Sequence, residues 1–477
     1  MRVAHESNAA KVIITRNDMS GSIIDGGHVT ALGLKLSNSS TGLFAGQARS
    51  YRDCATFKVG VVPAGAGLSR EEAGTATPGI ATEIGPTVHT YHRLPGPLGI
   101  VLLGVLQILV WGGSFFLMAV MADPISRDTG WPSQWVYGAL SLSLMVSALL
   151  APLSSRLVAR YGGRPQMAAS GGVVAVGLLI MAASHNLGLF LLAWAVIGIG
   201  MAMGLYETLF ATLGGLYGEG AGKAITGITL IAGFASTLSW PTVALAIEHF
   251  GWRATCVCYA LVLIVVVAPL YWRVLPAGGR VEVPARAQAQ GEALGVDRPL
   301  YLLLTSMFAI GAIIMTAIAV QLVAVLQGLG HSLPVAIGLA AMLGPSQVAS
   351  RVLQILAGKR HPIWTALAWV SLVLIGLLMV TFVPAATAVG LLVFGCGNGL
   401  RAIVRGLLPL AMMPPAQYVL LMGRMSRPSL IGQALTPVVG GFLFEHFGSM
   451  GVLVALCLLA LVNLGLVGMV MRKVRIG

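Results

Sequence analysis

Glu248-His249-Phe250-Gly251 recurs 197 residues later as Glu445-His446-Phe447-Gly448. Each copy closes one long apolar run and is followed at once by another. The same offset carries Gly198 and Gly200 onto Gly395 and Gly397. One four-residue identity alone is weak. Its agreement with two glycines in an earlier pair of runs points to duplication of one unit.

Working outward, apolar runs fall at about 97–122, 134–157, 166–184, 187–216, 223–247 and 253–274. A second series falls at about 299–327, 334–357, 363–382, 386–412, 426–445 and 450–471. A helix of about 20 residues rises roughly 30 Å, the thickness of bilayer hydrocarbon. Backbone in lipid must satisfy its own hydrogen bonds, so runs this long and apolar are helices. The expectation is an all-α membrane protein with twelve transmembrane helices in two pseudo-symmetric six-helix bundles. Residues 96–274 form the first bundle. A polar linker covers 275–298, and 299–477 form the second bundle with a short basic tail.

Composition agrees. Of 477 residues, 57% are hydrophobic and 9% charged, against roughly 25% charged in an ordinary soluble domain. So little charge cannot cover a globule in water. The net charge of +13 is not a nucleic-acid signature, because the basic residues cluster in the gaps between apolar runs. Numbering the gaps alternately puts Arg156, Arg160, Arg164, Lys223, Lys359, Arg360 and Arg424 on one side. Arg93, the linker arginines and the basic tail fall there too, and only Arg127 and Arg253 on the other. By the positive-inside rule both termini and the linker are cytoplasmic, in a bacterial-type inner membrane. Trp131, Trp135 and Trp252 fall at the outer ends, as an aromatic belt does.

Residues 1–95 lack sustained periodicity and a signal-peptide core. They read as a disordered extension or as the product of a start assigned upstream of Val88. His89 and His92 form an isolated H-x-x-H pair, read as coincidence in a flexible tail. The five cysteines show no metal spacing and no disulfide framework. Neither a metal nor another cofactor is expected. The chain is not read as an enzyme. Around Gly222-Lys223, a P-loop needs its first Gly at Tyr217, and Ala224 replaces the Ser or Thr that holds magnesium.

Between the second and third runs stands Ser155-Arg156-Leu157-Val158-Ala159-Arg160-Tyr161-Gly162-Gly163-Arg164. With the two six-helix halves and the linker, this basic loop resembles the major facilitator superfamily. Arg160, Gly162 and Arg164 match the superfamily's loop signature. Ser155 replaces a Gly, and Ala159 an Asp that helps to close the cytoplasmic side. Gly130-Trp131, Pro152 and Gly251-Trp252-Arg253 are similar to the bacterial monocarboxylate and oxalate–formate branch. The G-x-x-x-G-P-x-x-G-G motif of many drug antiporters is missing from the fifth run. The resemblance implies alternating access, with Arg156, Arg160, Gly162 and Arg164 in the conformational-switch loop. It also implies that the first, fourth, seventh and tenth helices line a central cavity.

Ionisable residues inside lipid-spanning helices are costly and keep to a cavity or a partner. Glu207 lies in the fourth run. Arg401 and Arg405 lie in the tenth, four residues apart on one helical face. The 197-residue offset sets Glu207 opposite Val404, between the two arginines. The functional reading gives substrate binding to Arg401 and Arg405, with Asn398 orienting Arg401, and proton coupling to Glu207. The alternative is a static Glu–Arg bridge. Arg401 is expected to be the main anion contact, because Arg405 lies nearer the cytoplasmic surface, where it can snorkel. Arg351, in the eighth run, either snorkels or meets substrate. Gln107, Trp111 and Ser114 share a face of the first helix and line the cavity or pack. His249 and His446 sit at outer helix ends.

The expected activity is secondary transport of a small solute, a small organic anion of monocarboxylate type, proton-coupled or by exchange. The expected protein is a monomer whose partners are the substrate, the coupling proton and the bilayer, with no nucleic acid. The alternatives are efflux of an amphipathic organic compound and a transporter-like sensor that moves nothing.

Overall fold

The computed structural model describes residues 11–14, 20–25, 28–33, 95–278, 297–358 and 361–476. The chain divides into two compact units, Met1–Thr87 and Val88–Gly477. The described part of the first unit is a three-stranded antiparallel sheet in the order β1-β2-β3. Its strands are β1 (Lys11–Ile14), β2 (Ser20–Asp25) and β3 (His28–Gly33). The β-branched run Val12-Ile13-Ile14 pairs with Ile23, Ser22 and Gly21 in turn, and such residues suit a pleated strand. Val88, His89 and His92 lie outside the described residues.

The second unit is helical. Its N-terminal set comprises α1 (Pro97–Gly112), α2 (Met118–Thr129), α3 (Ser133–Tyr161), α4 (Gly163–Ala182), α5 (Leu187–Gly204), α6 (Tyr206–Tyr217), α7 (Ala221–Ala232), α8 (Ala235–Val262) and α9 (Ala268–Val274). The C-terminal set comprises α10 (Arg298–Gly328), α11 (Leu333–Ala341), α12 (Leu343–Leu356), α13 (Pro362–Phe382), α14 (Thr387–Met412) and α15 (Pro415–Ile476). Nine helical stretches among the described residues are long and apolar enough to cross a membrane.

Two of those stretches, Ala221–Val274 and Pro415–Lys473, hold 54 and 59 residues. Straight, each would run at least 80 Å, far beyond one bilayer crossing of about 30 Å. Each is broken by a glycine with positive φ, Gly251 (φ 78°) and Gly448 (φ 65°). A side chain at that φ clashes with its own backbone, so glycine is the residue that can reverse the chain there. These are the final residues of the repeated tetrapeptide. The preceding histidines match as well, with His249 Nδ1 against Leu245 O and His446 Nδ1 against Phe442 O, both at 2.9 Å.

Four apolar runs that read as single helices are interrupted, the fifth run between Ala232 and Ala235. The other three break between Gly112 and Met118 in the first run, at Leu205 in the fourth and at Met342 in the eighth. The buried side chains form two clusters. One is built from α1 to α9 around Phe190, Trp194, Phe210 and Tyr271. The other is built from α10 to α15 around Met307, Trp369 and Phe394. Tyr418, Val419 and Met422, near the start of α15, belong to the first cluster. The start of α15 thus packs among the N-terminal helices, on the side of the membrane that carries the basic loop.

Candidate functional site

The break between α5 and α6 organises the site. Leu205 is extended there (φ −82°, ψ −174°). An interruption leaves the last carbonyls of one helix and the first N–H groups of the next without helical partners. Side chains take up those carbonyls. Ser154 and Thr208 hydroxyls donate to Ala202 O, both at 2.7 Å. Gln107 Nε2 donates to Gly204 O at 2.8 Å and to Tyr271 Oη at 2.9 Å, while Trp111 Nε1 donates to Gln107 Oε1 at 3.1 Å.

Of the two roles the sequence left to Gln107, lining and packing, these bonds describe the packing one. Gln107 is fully buried, and its two amide protons and its oxygen are all engaged. It caps the broken helix and has no free polar atom to offer a solute. Ser114 is likewise buried and donates to Val110 O at 2.6 Å. Trp111 is half-buried and joins an aromatic group with Phe115, Phe116 and Tyr206.

The break places Glu207 in the first turn of α6, where the positive end of the helix dipole favours a carboxylate. Glu207 forms an ion pair with Arg405 of α14, and both side chains are nearly buried. Arg405 thus turns inward to a charge and does not snorkel to water. One turn earlier, Arg401 Nε donates to Asn398 Oδ1 at 3.3 Å, and its Nη2 lies 2.9 Å from Met315 Sδ of α10. Arg401 is half-buried, and no carboxylate pairs with it among the described residues.

A third guanidinium completes the group. Arg351 of α12 is buried. Its Nε donates to Gly399 O at 3.0 Å and its Nη1 to Thr229 O at 2.8 Å. It reaches a backbone carbonyl in each set of helices. Burial with two backbone partners rules out snorkelling for Arg351. Tyr206, stacked on Phe210 at 5.2 Å between ring centres, lies within electrostatic reach of Arg351, Arg401 and Glu207. Arg405 thus pairs with Glu207, Arg401 lies within electrostatic reach of the same carboxylate, and Arg351 stands beside Tyr206. Tyr206 escaped the sequence reading. An aromatic beside the only acidic residue of the fourth run was the available signal.

The basic loop lies apart from this group. Gly162 has φ 82°. Arg164 sets its guanidinium 4.4 Å above the Trp272 ring of α9, and Arg160 lies 5.2 Å from the ring of its neighbour Tyr161. Arg156 is exposed, and Ala159, at the position of the superfamily's Asp, is buried. At the opposite helix ends, Asp128 accepts hydrogen bonds from Trp252 Nε1 at 2.9 Å and from Arg253. Those two donors hold its carboxyl below the ordinary carboxylate range.

A broken helix carrying a carboxylate thus lies against a helix carrying guanidinium groups, inside a bundle of long apolar helices. The Major Facilitator Superfamily model matches residues 103–411, well over half of the chain. The chain belongs to the major facilitator superfamily. It is a multi-pass membrane protein of a family of transporters, and not an enzyme. It is 37% identical over 131 residues to monocarboxylate transporter 3 of Rattus norvegicus, covering 26% of this chain and 24% of that one. It is 30% identical over 155 residues to human monocarboxylate transporter 11, covering 31% and 30%. The alignments span less than a third of those relatives. They agree with the monocarboxylate resemblance of the Gly-Trp motifs. The crystal structure of the human organic anion transporter MFSD10 (TETRAN) superposes with a TM-score of 0.60 at 15% identity, covering 78% of this chain and all of that one. At that identity the likeness is one of fold.

Proposed function

We propose that this facilitator is a secondary active transporter of a small organic anion, working by alternating access between two six-helix bundles. Arg401 carries the reading. It is a half-buried guanidinium with no carboxylate partner among the described residues, while its neighbour Arg405 is neutralised by Glu207. A cation held in the interior with part of its donor fork free suits a carboxylate, which accepts two parallel N–H bonds. Asn398 orients it. The relatives' names add support for a monocarboxylate as the anion.

Twelve crossings follow if the two long stretches are divided at Gly251 and Gly448 and the α1–α2 pair is counted as one. The positive-inside pattern supports cytoplasmic termini, in a bacterial inner membrane. The packing of Tyr418, Val419 and Met422 among the N-terminal helices supports a state closed on the basic side, open to the other. No part of the site calls for a second copy, and the transporter is taken as a monomer. Glu207 is the proton carrier. Anion arriving at Arg401 draws on the same positive field that holds Glu207 ionised, and lets it take up a proton.

The test is uptake into proteoliposomes from a panel of labelled carboxylates, with and without an imposed proton gradient. Glu207→Gln is expected to retain substrate exchange and to lose accumulation driven by protons. A Glu207→Gln protein that still accumulates substrate against its gradient removes Glu207 from the coupling role. Absence of carboxylate uptake by the wild type removes the anion reading.

A further inference from the structure

The C-terminal helices hold a cavity of about 250 Å³ between α10 and the two arms of α15 that flank Gly448. Ile313, Leu443 and Leu456 are among its apolar walls, and it reaches the surface at exposed Leu435 and Val439. One polar side chain stands out. Gln321 is buried, makes no hydrogen bond, and its amide lines the space. Gly440 admits that amide, since a Cβ there would collide with Gln321. The other polar lining group, Thr436, spends its proton on Gly432 O at 2.6 Å.

The corresponding positions of the N-terminal helices are filled. At the 197-residue offset Leu456 corresponds to Tyr259, and Gly440 to Val243. Tyr259 packs against α1 with its hydroxyl donating to Leu109 O at 3.0 Å, and Val243 is buried. Counting back nine residues from the positive-φ glycines Gly330 and Gly130, Gln321 corresponds to Met121. Met121 is fully buried, 3.7 Å from the Cys256 sulfur. The N-terminal helices thus use a large aromatic, a branched aliphatic and a methionine. The C-terminal helices use a smaller aliphatic, a glycine and an amide. They have exchanged filling for room and one polar anchor.

Water is a poor occupant, because a buried water needs two to four polar partners and the walls offer little beyond one amide. A charged head is excluded by the absence of any ionisable residue in the lining. A side-chain amide presents both a donor and an acceptor, whichever way it is turned. A hydroxyl answers both.

We propose that this crevice is a binding site for a neutral single-chain amphiphile, whose hydroxyl head pairs with Gln321 and whose hydrocarbon chain lies along Ile313, Leu456 and Leu443. The site shares no residue with the Arg401–Glu207 group, and its test does not depend on transport.

The purified full chain in nanodiscs is photolabelled with decanol carrying a diazirine in its chain, and labelled peptides are mapped by mass spectrometry. Label is expected within 313–321, 432–443 and 452–459, competed by unlabelled decanol. The matching diazirine alkane without the hydroxyl is expected to label there at least tenfold less. Leu456→Tyr, which restores the residue of the N-terminal repeat, should cut labelling tenfold or more. Leu456→Phe serves in its place if Leu456→Tyr does not purify as a monodisperse protein. Gln321→Met should bring alcohol and alkane to equal labelling. Unchanged labelling in the cavity-filling variants, label spread evenly over all helices, or no preference for the hydroxyl in the wild type would each overturn the proposal.

Discussion

At Gly251 and Gly448 the N-terminal and C-terminal helices are interchangeable. Both glycines have positive φ, and both follow a histidine bonded to the carbonyl four residues earlier. At Glu207 and Val404, separated by the same 197 residues, they are not. On the N-terminal side the helix is broken at Leu205, and hydroxyls and an amide hold its loose carbonyls. On the C-terminal side α14 runs unbroken from Thr387 to Met412 and carries two guanidinium groups. Chain reversals depend on a local backbone requirement and survive duplication. The facing interior surfaces depend on what each copy meets across the middle, and there the copies have diverged.

The contrast breaks most sharply at the ion pair. Arg405→Ala leaves Glu207 buried and uncompensated, and removing one partner of a buried pair costs about 3–5 kcal/mol. A large fall in melting temperature in detergent is expected. Glu207→Gln combined with Arg405→Met should recover most of it. A stable single variant would mean that water reaches Glu207.

Arg401 is expected to behave oppositely. It has no carboxylate in an ion pair among the described residues, so Arg401→Ala should melt near the wild type. Carboxylate uptake should fall roughly 10–150-fold, the equivalent of about 1.5–3 kcal/mol for hydrogen bonds to a charged group. Arg401→Lys should fall between, because an ammonium lacks the planar fork. Loss of stability in parallel with loss of uptake would make Arg401 a structural residue.

Gln107→Leu sharpens the comparison at the broken helix. It deprives Gly204 O of its donor and Tyr271 of a partner, a loss of about 1–3 kcal/mol. Thermal unfolding measures it, and C-terminal α14, being continuous, has no counterpart to lose. Asp128→Asn at the helix ends should show the smallest effect, at most about 1 kcal/mol, as for other exposed pairs. The carboxyl titrates lower in the folded protein than in the unfolded one. Its contribution is therefore present above the unfolded value of about 3.9 and lost as pH falls through the folded value. Wild type and Asp128→Asn should converge in melting temperature at acidic pH.

The reversals were legible because Glu-His-Phe-Gly is short, local and repeated. The membrane class was legible because twelve apolar runs and only 9% charged residues leave no other solvent. The break at Leu205 was not legible. Gly204-Leu205-Tyr206 contains no proline, and the groups that stabilise the break come from Gln107 and Ser154, distant in the chain. Which arginine pairs with Glu207 was not legible either. The repeat offset set Glu207 between Arg401 and Arg405, and lateral packing, which spacing does not encode, gave it Arg405. Arg351 was visible as a buried charge, but its carbonyl acceptors on α7 and α14 leave no mark in composition or spacing.

Arg351 has a mechanical consequence for the alternating access proposed here. A guanidinium gripping one carbonyl of the N-terminal helices and one of the C-terminal helices works as a fulcrum. Carbonyl acceptors carry no net charge, so tilting one arm over the other can lengthen and remake the Thr229 bond without separating ions. Points far from that contact travel furthest for a given tilt, and points beside it travel least. A solute held at Arg401, in the same helix as the Gly399 carbonyl, would ride close to the axis while the two mouths of the pathway swing.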